Sequence, residues 1–146
     1  MIARLIGKGR AATDVLRAAV AVSRARRSVA HSPLGSLVQT GAVSPASSGL
    51  AALAPHQQQI VRRWAAAVDR ALRWVPGDES GCLVRARALR DLLADAGMPQ
   101  AEVRIGVRRG AAGFEAHAWV EFDGIPIAEP DALRGAFVSL DGVTMR

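Results

Sequence analysis

The sequence predicts an α+β fold in which N-terminal helices are followed by a small antiparallel sheet. The chain has 146 residues, half of them apolar, which suffices for one hydrophobic core. Apolar residues recur at steps of three and four up to residue 96, and from residue 103 they alternate with polar ones. This change of period separates a helical part from a part made of strands.

The first helix is predicted from Asp14 to Arg27, with Thr13 as its N-cap and arginines at its negative end. Its apolar stripe consists of Val15, Leu16, Ala19, Val20 and Val22. Serine, glycine, proline and alanine dominate residues 31–53, so we expect a linker there, interrupted at most by a short helix or strand. The predicted organisation is therefore a basic N-terminal helical arm and linker, 1–53, followed by a core domain, 54–146.

The second helix is predicted to begin at Pro55 and to end before Pro76. We expect Trp64 and Trp74 to be core residues rather than parts of a cofactor site. The other residues of its apolar face are Ile60, Val68, Ala71 or Leu72, and Val75.

A third helix is predicted from Cys82 to Ala96, ended by Gly97. Its buried face is predicted to consist of Leu83, Ala86, Leu89, Leu92 or Leu93, and Ala96. Three strands follow, at Val103–Val107, Phe114–Phe122 and Ile125–Ala128, with Asp123 and Gly124 as the turn between the last two.

The formal net charge of +6 is concentrated at the N-terminus. Residues 1–31 hold seven basic side chains and one acid, whereas the other residues hold twelve of each. Three interpretations of such an arm are open: it binds an anionic membrane surface, it binds an acidic peptide or protein, or it is a helix face that contacts only water. No aromatic residue lies among these arginines to stack on bases, so we expect no nucleic-acid partner.

No stretch of the sequence has the run of about 20 apolar residues that a membrane span needs, so we expect no transmembrane segment. The N-terminal apolar run is broken by Asp14 and Arg17, which argues against a signal peptide. Cys82 is the single cysteine and forms no disulfide within the chain. We therefore expect a reducing, cytoplasmic location.

Cys82 is the candidate nucleophile because it begins the third helix, where free N–H groups and the helix dipole stabilise a thiolate and a developing oxyanion. A lone cysteine is otherwise more often a small core residue. His117, in the middle of the second strand and flanked by alanines, is the candidate base. His31 and His56 are expected at the surface.

The turn at Asp123 and Gly124 decides which acid meets His117. With a two-residue turn, Glu129 points to the face of the sheet away from His117. With a three-residue loop it lies opposite His117, and we favour the loop. Asp131 is the alternative orienting acid, after a further shift of register. Glu121 is expected to be a residue of the strand surface, and Asp123 a turn residue.

Two paired motifs identify a resemblance. The run from Cys82 to Leu89, CLVRARAL, is followed by Ile105-Gly106-Val107 and then by Phe114–Glu121, FEAHAWVE. Together they resemble the cysteine leader peptidases of lasso-peptide biosynthesis, which belong to the transglutaminase-like, papain-like superfamily. The resemblance covers about Trp64 to Glu129.

The resemblance implies a transglutaminase-like or papain-like protease core with Cys82 as nucleophile, His117 as base and then acid, and Glu129 as the orienting acid. It implies removal of the leader peptide from a ribosomally made precursor, with a separate leader-recognition protein and an ATP-dependent cyclase as partners. It implies neither a metal nor an organic cofactor. On this reading the basic arm docks the recognition protein or its complex with the leader peptide.

Two other hypotheses remain open. The same nucleophile and base serve amidases and acyltransferases. A non-catalytic module that binds an acidic partner through its basic arm is the third possibility. Metal binding is not expected, because one cysteine and three widely separated histidines offer no ligand pair.

Overall fold

A computed structural model of the chain describes residues 2–31, 49–75, 81–129 and 137–139. The described residues form an α+β fold, as predicted, with helices followed by an antiparallel sheet. The helices are α1 (Ile2–His31), a short 3₁₀ helix (Gly49–Ala52), α2 (Pro55–Trp74) and α3 (Gly81–Asp95). The strands are β1 (Ala101–Gly110), β2 (Gly113–Phe122), β3 (Ile125–Ile127) and β4 (Val138–Ser139).

Helix α1 is longer than predicted, and Thr13 lies inside it rather than at its N-cap. Residues 2–12 contain no proline, and alanine, leucine and arginine favour the helix strongly enough to carry it through two glycines. The predicted apolar stripe is also partly wrong, because Leu16 is 67% exposed and Val20 46% exposed. The buried face consists of Ala18, Ala21, Val22 and Ala25.

Helix α2 confirms the predicted boundaries. Pro55 is its first residue, and the Gln57 side chain accepts a hydrogen bond from the N–H of Ala54, at 3.0 Å. Trp64 is buried as expected, but Trp74 is 79% exposed, so its assignment to the core was wrong. Ten residues at 100° each place Trp74 about 80° around the helix from Trp64, and it is the last residue of the helix.

Helix α3 begins one residue before the predicted start and ends at Asp95, one residue before the predicted end at Ala96. Gly97 takes a left-handed conformation, with φ 91°, and its N–H donates to the carbonyl of Ala94, at 3.1 Å. Met98 N–H donates to the carbonyl of Leu93, at 2.9 Å. These two hydrogen bonds form the Schellman motif that a glycine at this position favours.

The sheet has the strand order β3-β2-β1-β4, and all its pairs are antiparallel. Strands β1 and β2 form a long hairpin from the pair Ala101 and Phe122 to the pair Gly110 and Gly113. Alternate residues of the sheet join the helices in one core, as period-2 strands require. They are Ala101, Val103, Ala118, Val120, Phe122 and Ile127.

Glu121 was expected at the strand surface, and this expectation was wrong, because the residue is 2% exposed. Its Oε2 accepts a hydrogen bond from Arg104 Nε at 3.1 Å, and its Oε1 accepts one from Trp119 Nε1 at 2.9 Å. A carboxylate paired in this way tolerates burial. The charge of Glu121 was therefore not a sufficient reason to place it at the surface.

Helix α1, which belongs to the predicted arm, shares one hydrophobic core with α2, α3 and the sheet. Helix α1 packs against α2 and α3, and Asp14 of α1 accepts a hydrogen bond from Arg63 Nε of α2, at 2.7 Å. The predicted division at residues 53 and 54 stays a prediction, and residues 32–48 of the linker lie outside the described residues.

Candidate active site

Cys82 is the second residue of α3, at the helix end where backbone N–H groups lack intrahelical acceptors. Its thiol is free and partly buried, and the residue packs against the hydrophobic core. The helix places it there because Leu83, Ala86 and Leu89 fix the rotation of α3 against the rest of the core.

His117 of β2 is hydrogen-bonded to Glu129, with 2.8 Å between Nε2 and Glu129 Oε2. The Glu129 side chain is 6% exposed, so little water competes for this hydrogen bond. In the tautomer whose Nε2–H donates to a carboxylate, Nδ1 holds the free lone pair. In that tautomer Nδ1 is the basic nitrogen.

The structure corrects the register on which this contact was predicted. Phe122 pairs with Ile125, and Val120 pairs with Ile127, so the hairpin has a two-residue turn rather than the favoured three-residue loop. Asp123 and Gly124 have φ values of 50° and 75°, as a tight turn of this kind requires. Asp123 is thus a turn residue, as expected.

Glu129 still reaches His117 because β3 stops at Ile127. Ala128 then adopts a left-handed φ of 58°, which redirects the chain at the sheet edge. The strand pattern that would have turned Glu129 away no longer applies beyond that residue. The alternative acid, Asp131, lies outside the described residues.

Arg85 of α3 connects this pair to the helix of Cys82. Its Nη1 donates to Glu129 Oε1 at 3.2 Å, and its Nη2 donates to the carbonyl of Ala128 at 3.1 Å. Its Nε donates to Asp69 of α2 at 2.7 Å. Sequence reasoning missed Arg85, although its position one helical turn after Cys82 was a usable signal.

Within the described residues no hydrogen bond joins Cys82 to His117. The structure therefore brings His117 and Glu129 into direct contact, and it places Cys82 one turn from the arginine that binds Glu129. His31 and His56 are exposed, as expected.

Two aromatic rings flank the imidazole of His117. The Trp119 ring lies nearly parallel to it, with 6.2 Å between centroids, and the Phe137 ring lies at 5.2 Å. The guanidinium of Arg108 covers the Phe137 ring at 4.6 Å. Sequence reasoning did not single out Phe137, since nothing in its local pattern distinguishes it from a core residue.

A family model for the transglutaminase-like superfamily matches residues 16–141. The chain belongs to the transglutaminase-like superfamily. This superfamily includes cysteine proteases, and its members often carry a Cys-His-Asp set that performs proteolysis or acyl transfer. No curated protein and no solved structure shows significant similarity to the chain.

The match covers most of the chain, including much of α1 and all of α2, α3 and β1–β4. In the part of the chain that the structure describes, no group of three or more metal-ligating side chains is found. None of the described helices is both long and apolar enough to cross a membrane.

Proposed function

We propose that this superfamily member is a cysteine protease that removes the leader peptide from a ribosomally synthesised lasso-peptide precursor. The observation that carries the proposal is the 2.8 Å hydrogen bond between His117 and Glu129. It provides the oriented base that a weak nucleophile such as a thiol needs. The resemblance of the CLVRARAL and FEAHAWVE motifs supports the choice of substrate.

In the proposed reaction, His117 Nδ1 takes the thiol proton of Cys82, and Sγ attacks the carbonyl carbon of the scissile peptide bond. Free N–H groups at the start of α3 receive the oxyanion. The C–N bond breaks when the imidazolium gives its proton to the leaving amine. Water, deprotonated by His117, then hydrolyses the thioester and frees the thiol.

Glu129 holds the imidazole through Nε2 and stabilises the imidazolium formed in each half of the reaction. The leaving amine is the N-terminus of the core peptide. The proposed cyclase would join that amine to a carboxylate of the same peptide, so cleavage comes before ring closure.

The decisive experiment incubates the full chain and the leader-recognition protein with the precursor, and reads peptide masses. We expect the intact chain to remove the leader, and Cys82→Ala to abolish removal. Glu129→Gln should lower kcat by roughly a hundredfold or more, because it loses the charge that stabilises the imidazolium. Glu115→Gln is the matched control, since Glu115 is an exposed acid on β2, the strand that carries His117.

Other outcomes identify the alternatives. An intact precursor that nevertheless binds tightly would favour the non-catalytic module. Transfer of the peptide acyl group to an added amine, without hydrolysis, would favour an acyltransferase. Alkylation of Cys82 by iodoacetamide gives an independent check, because His117→Ala should slow it if the imidazole takes the thiol proton.

We propose that the exposed side of α1 docks the leader-recognition protein in the cytoplasm. Leu16 and Val20 lie exposed one turn apart on this side, next to the exposed Arg17, Arg24 and Arg27. Apolar residues bordered by cations suit an acidic partner surface. Charge reversal by Arg24→Glu with Arg27→Glu should weaken capture of the recognition protein, and unchanged capture would refute this role.

A further inference from the structure

We infer that Arg85 is a positioning residue of the active site, whose guanidinium holds the Glu129 carboxylate against His117 and ties both to the helix of Cys82. The inference rests on the proposed function for the roles of those three residues. Arg85 itself touches no reacting atom in the proposed reaction.

The two oxygens of the Glu129 carboxylate contact different side chains, Arg85 and His117. Oε1 accepts from Arg85 Nη1, at 3.2 Å, and Oε2 contacts His117 Nε2, at 2.8 Å. A rotation of the carboxylate would stretch both hydrogen bonds at once. The fork of Arg85 therefore selects one orientation of the acid and, through it, one orientation of the imidazole.

Burial makes a permanent cation necessary at this place. The Glu129 side chain is 6% exposed and that of Arg85 is 24% exposed. An ionised carboxylate in such surroundings needs a charged partner. His117 cannot serve throughout, because its charge appears and disappears during the reaction, whereas arginine stays protonated.

The second contact of Arg85 acts on the backbone that carries Glu129. Its Nη2 binds the carbonyl of Ala128, the residue with the left-handed φ of 58°. This conformation is unfavourable for alanine and persists only when neighbouring contacts hold it. Arg85 thus binds both the backbone of Ala128, where the chain bends, and the side chain of Glu129, which follows the bend.

The third contact anchors the arginine itself. Asp69 of α2 binds Nε at 2.7 Å, which leaves the two terminal nitrogens to face Ala128 and Glu129. Cys82 lies three residues before Arg85, about 4.5 Å along the axis of α3. One side chain thereby links the helix that carries the nucleophile to the segment after β3 that carries the acid, and through Glu129 to the base on β2.

The test compares Arg85→Met and Arg85→Lys in the full chain, with Arg87→Met as the matched control. Arg87 lies on the same helix and pairs with Asp91 at 3.3 Å, away from Glu129. With precursor and recognition protein, we expect Arg85→Met to lower kcat by about tenfold or more, with KM changed less than about twofold, because orientation rather than binding is lost. Arg85→Lys keeps the charge and should recover part of kcat.

Nitrogen-15 NMR of the histidine rings provides a readout that a merely structural role would not move. The chain has three histidines, so the signals of His117 are readily assigned. In the unaltered protein with a neutral ring, Nε2 should give a protonated signal and Nδ1 an unprotonated one. In Arg85→Met both signals should move toward averaged positions, whereas in Arg87→Met they should not.

Unchanged ring signals and unchanged kcat in Arg85→Met would overturn the inference. If Arg85→Met does not fold, Asp69→Asn tests the same linkage through its outer anchor, and unchanged ring signals there would also count against it. If the unaltered chain leaves the precursor intact while the ring signals respond to Arg85→Met, the positioning role stands and the proposed function fails.

Discussion

The carboxylate of Glu121 shows how single residues connect the interior to the candidate active site. Both of its oxygens accept hydrogen bonds, one from Arg104 and one from Trp119. The indole of Trp119 in turn lies parallel to the imidazole of His117. The buried ion pair of Glu121 and Arg104 therefore contacts His117 only through Trp119. We expect its loss to lower mainly the stability of the fold.

We expect Glu121→Ala to lower the free energy of unfolding by about 3 kcal/mol, because it leaves a buried guanidinium with one carboxylate fewer. Urea denaturation measures this change. Glu115→Ala is the control, since Glu115 pairs with Arg108 at the exposed end of the same two strands and should cost at most about 1 kcal/mol. Equal losses in the two variants would contradict the distinction.

At the scale of elements, α1 is part of the packed core. Its buried face is built of small residues, which lets the helix lie close to α2 and α3. Its opposite side exposes Leu16 and Val20. The same helix therefore stabilises the core with one face and leaves the other available to the proposed partner.

Two valines of α1 test this arrangement. Val22 is 0% exposed, and Val22→Ala should lower the free energy of unfolding by about 2 kcal/mol through lost burial and a residual cavity. Val20→Ala, on the exposed side, should change it by less than about 0.5 kcal/mol. Thermal or urea unfolding of the two variants measures this difference. Equal free energies of unfolding for Val22→Ala and Val20→Ala would show that α1 does not pack against α2 and α3.

At the scale of the whole molecule, the ion pair between Asp14 and Arg63 ties α1 to α2. The hydrogen bond from Arg63 is the main reason that the pKa of Asp14 lies below 3.8, although burial of the carboxyl opposes this shift. The same pair raises the pKa of Arg63. The aromatic ring of Trp64 lies under both Arg63 and Arg17, at 5.0 and 5.2 Å, and completes this contact between the helices.

A lowered pKa in the folded state means that the Asp14 contribution to stability is present above the unfolded pKa and is lost as pH falls through the folded value. We expect Asp14→Asn to cost about 1 kcal/mol near pH 7, since Arg63 is half exposed and water screens part of the attraction. The difference from the unaltered chain should shrink below about pH 4. A difference that stays constant down to about pH 2 would contradict this assignment.

Much of the fold was predictable because local signals agreed with tertiary packing. Pro55 at a helix start and Gly97 at a helix end each fix backbone geometry within a few residues. Asp123 and Gly124 marked the place of the hairpin turn, but not its length. The alternation from Val103 onwards likewise set the strands of the sheet. The pairing of His117 with Glu129 was also anticipated, although by an incorrect register.

What the sequence by itself determined were the α+β class and the order of helices and strands in the central region, since these depend on short-range periodicity. From its chemistry the sequence also singled out Cys82, His117 and Glu129 as candidates. Only the tertiary structure decided which face of α1 is buried and that Glu121 lies in the interior. It also decided that Glu129 contacts His117, through the bend at Ala128 and the hydrogen bonds of Arg85. These features depend on contacts between residues far apart in the chain, and no local pattern encodes such contacts.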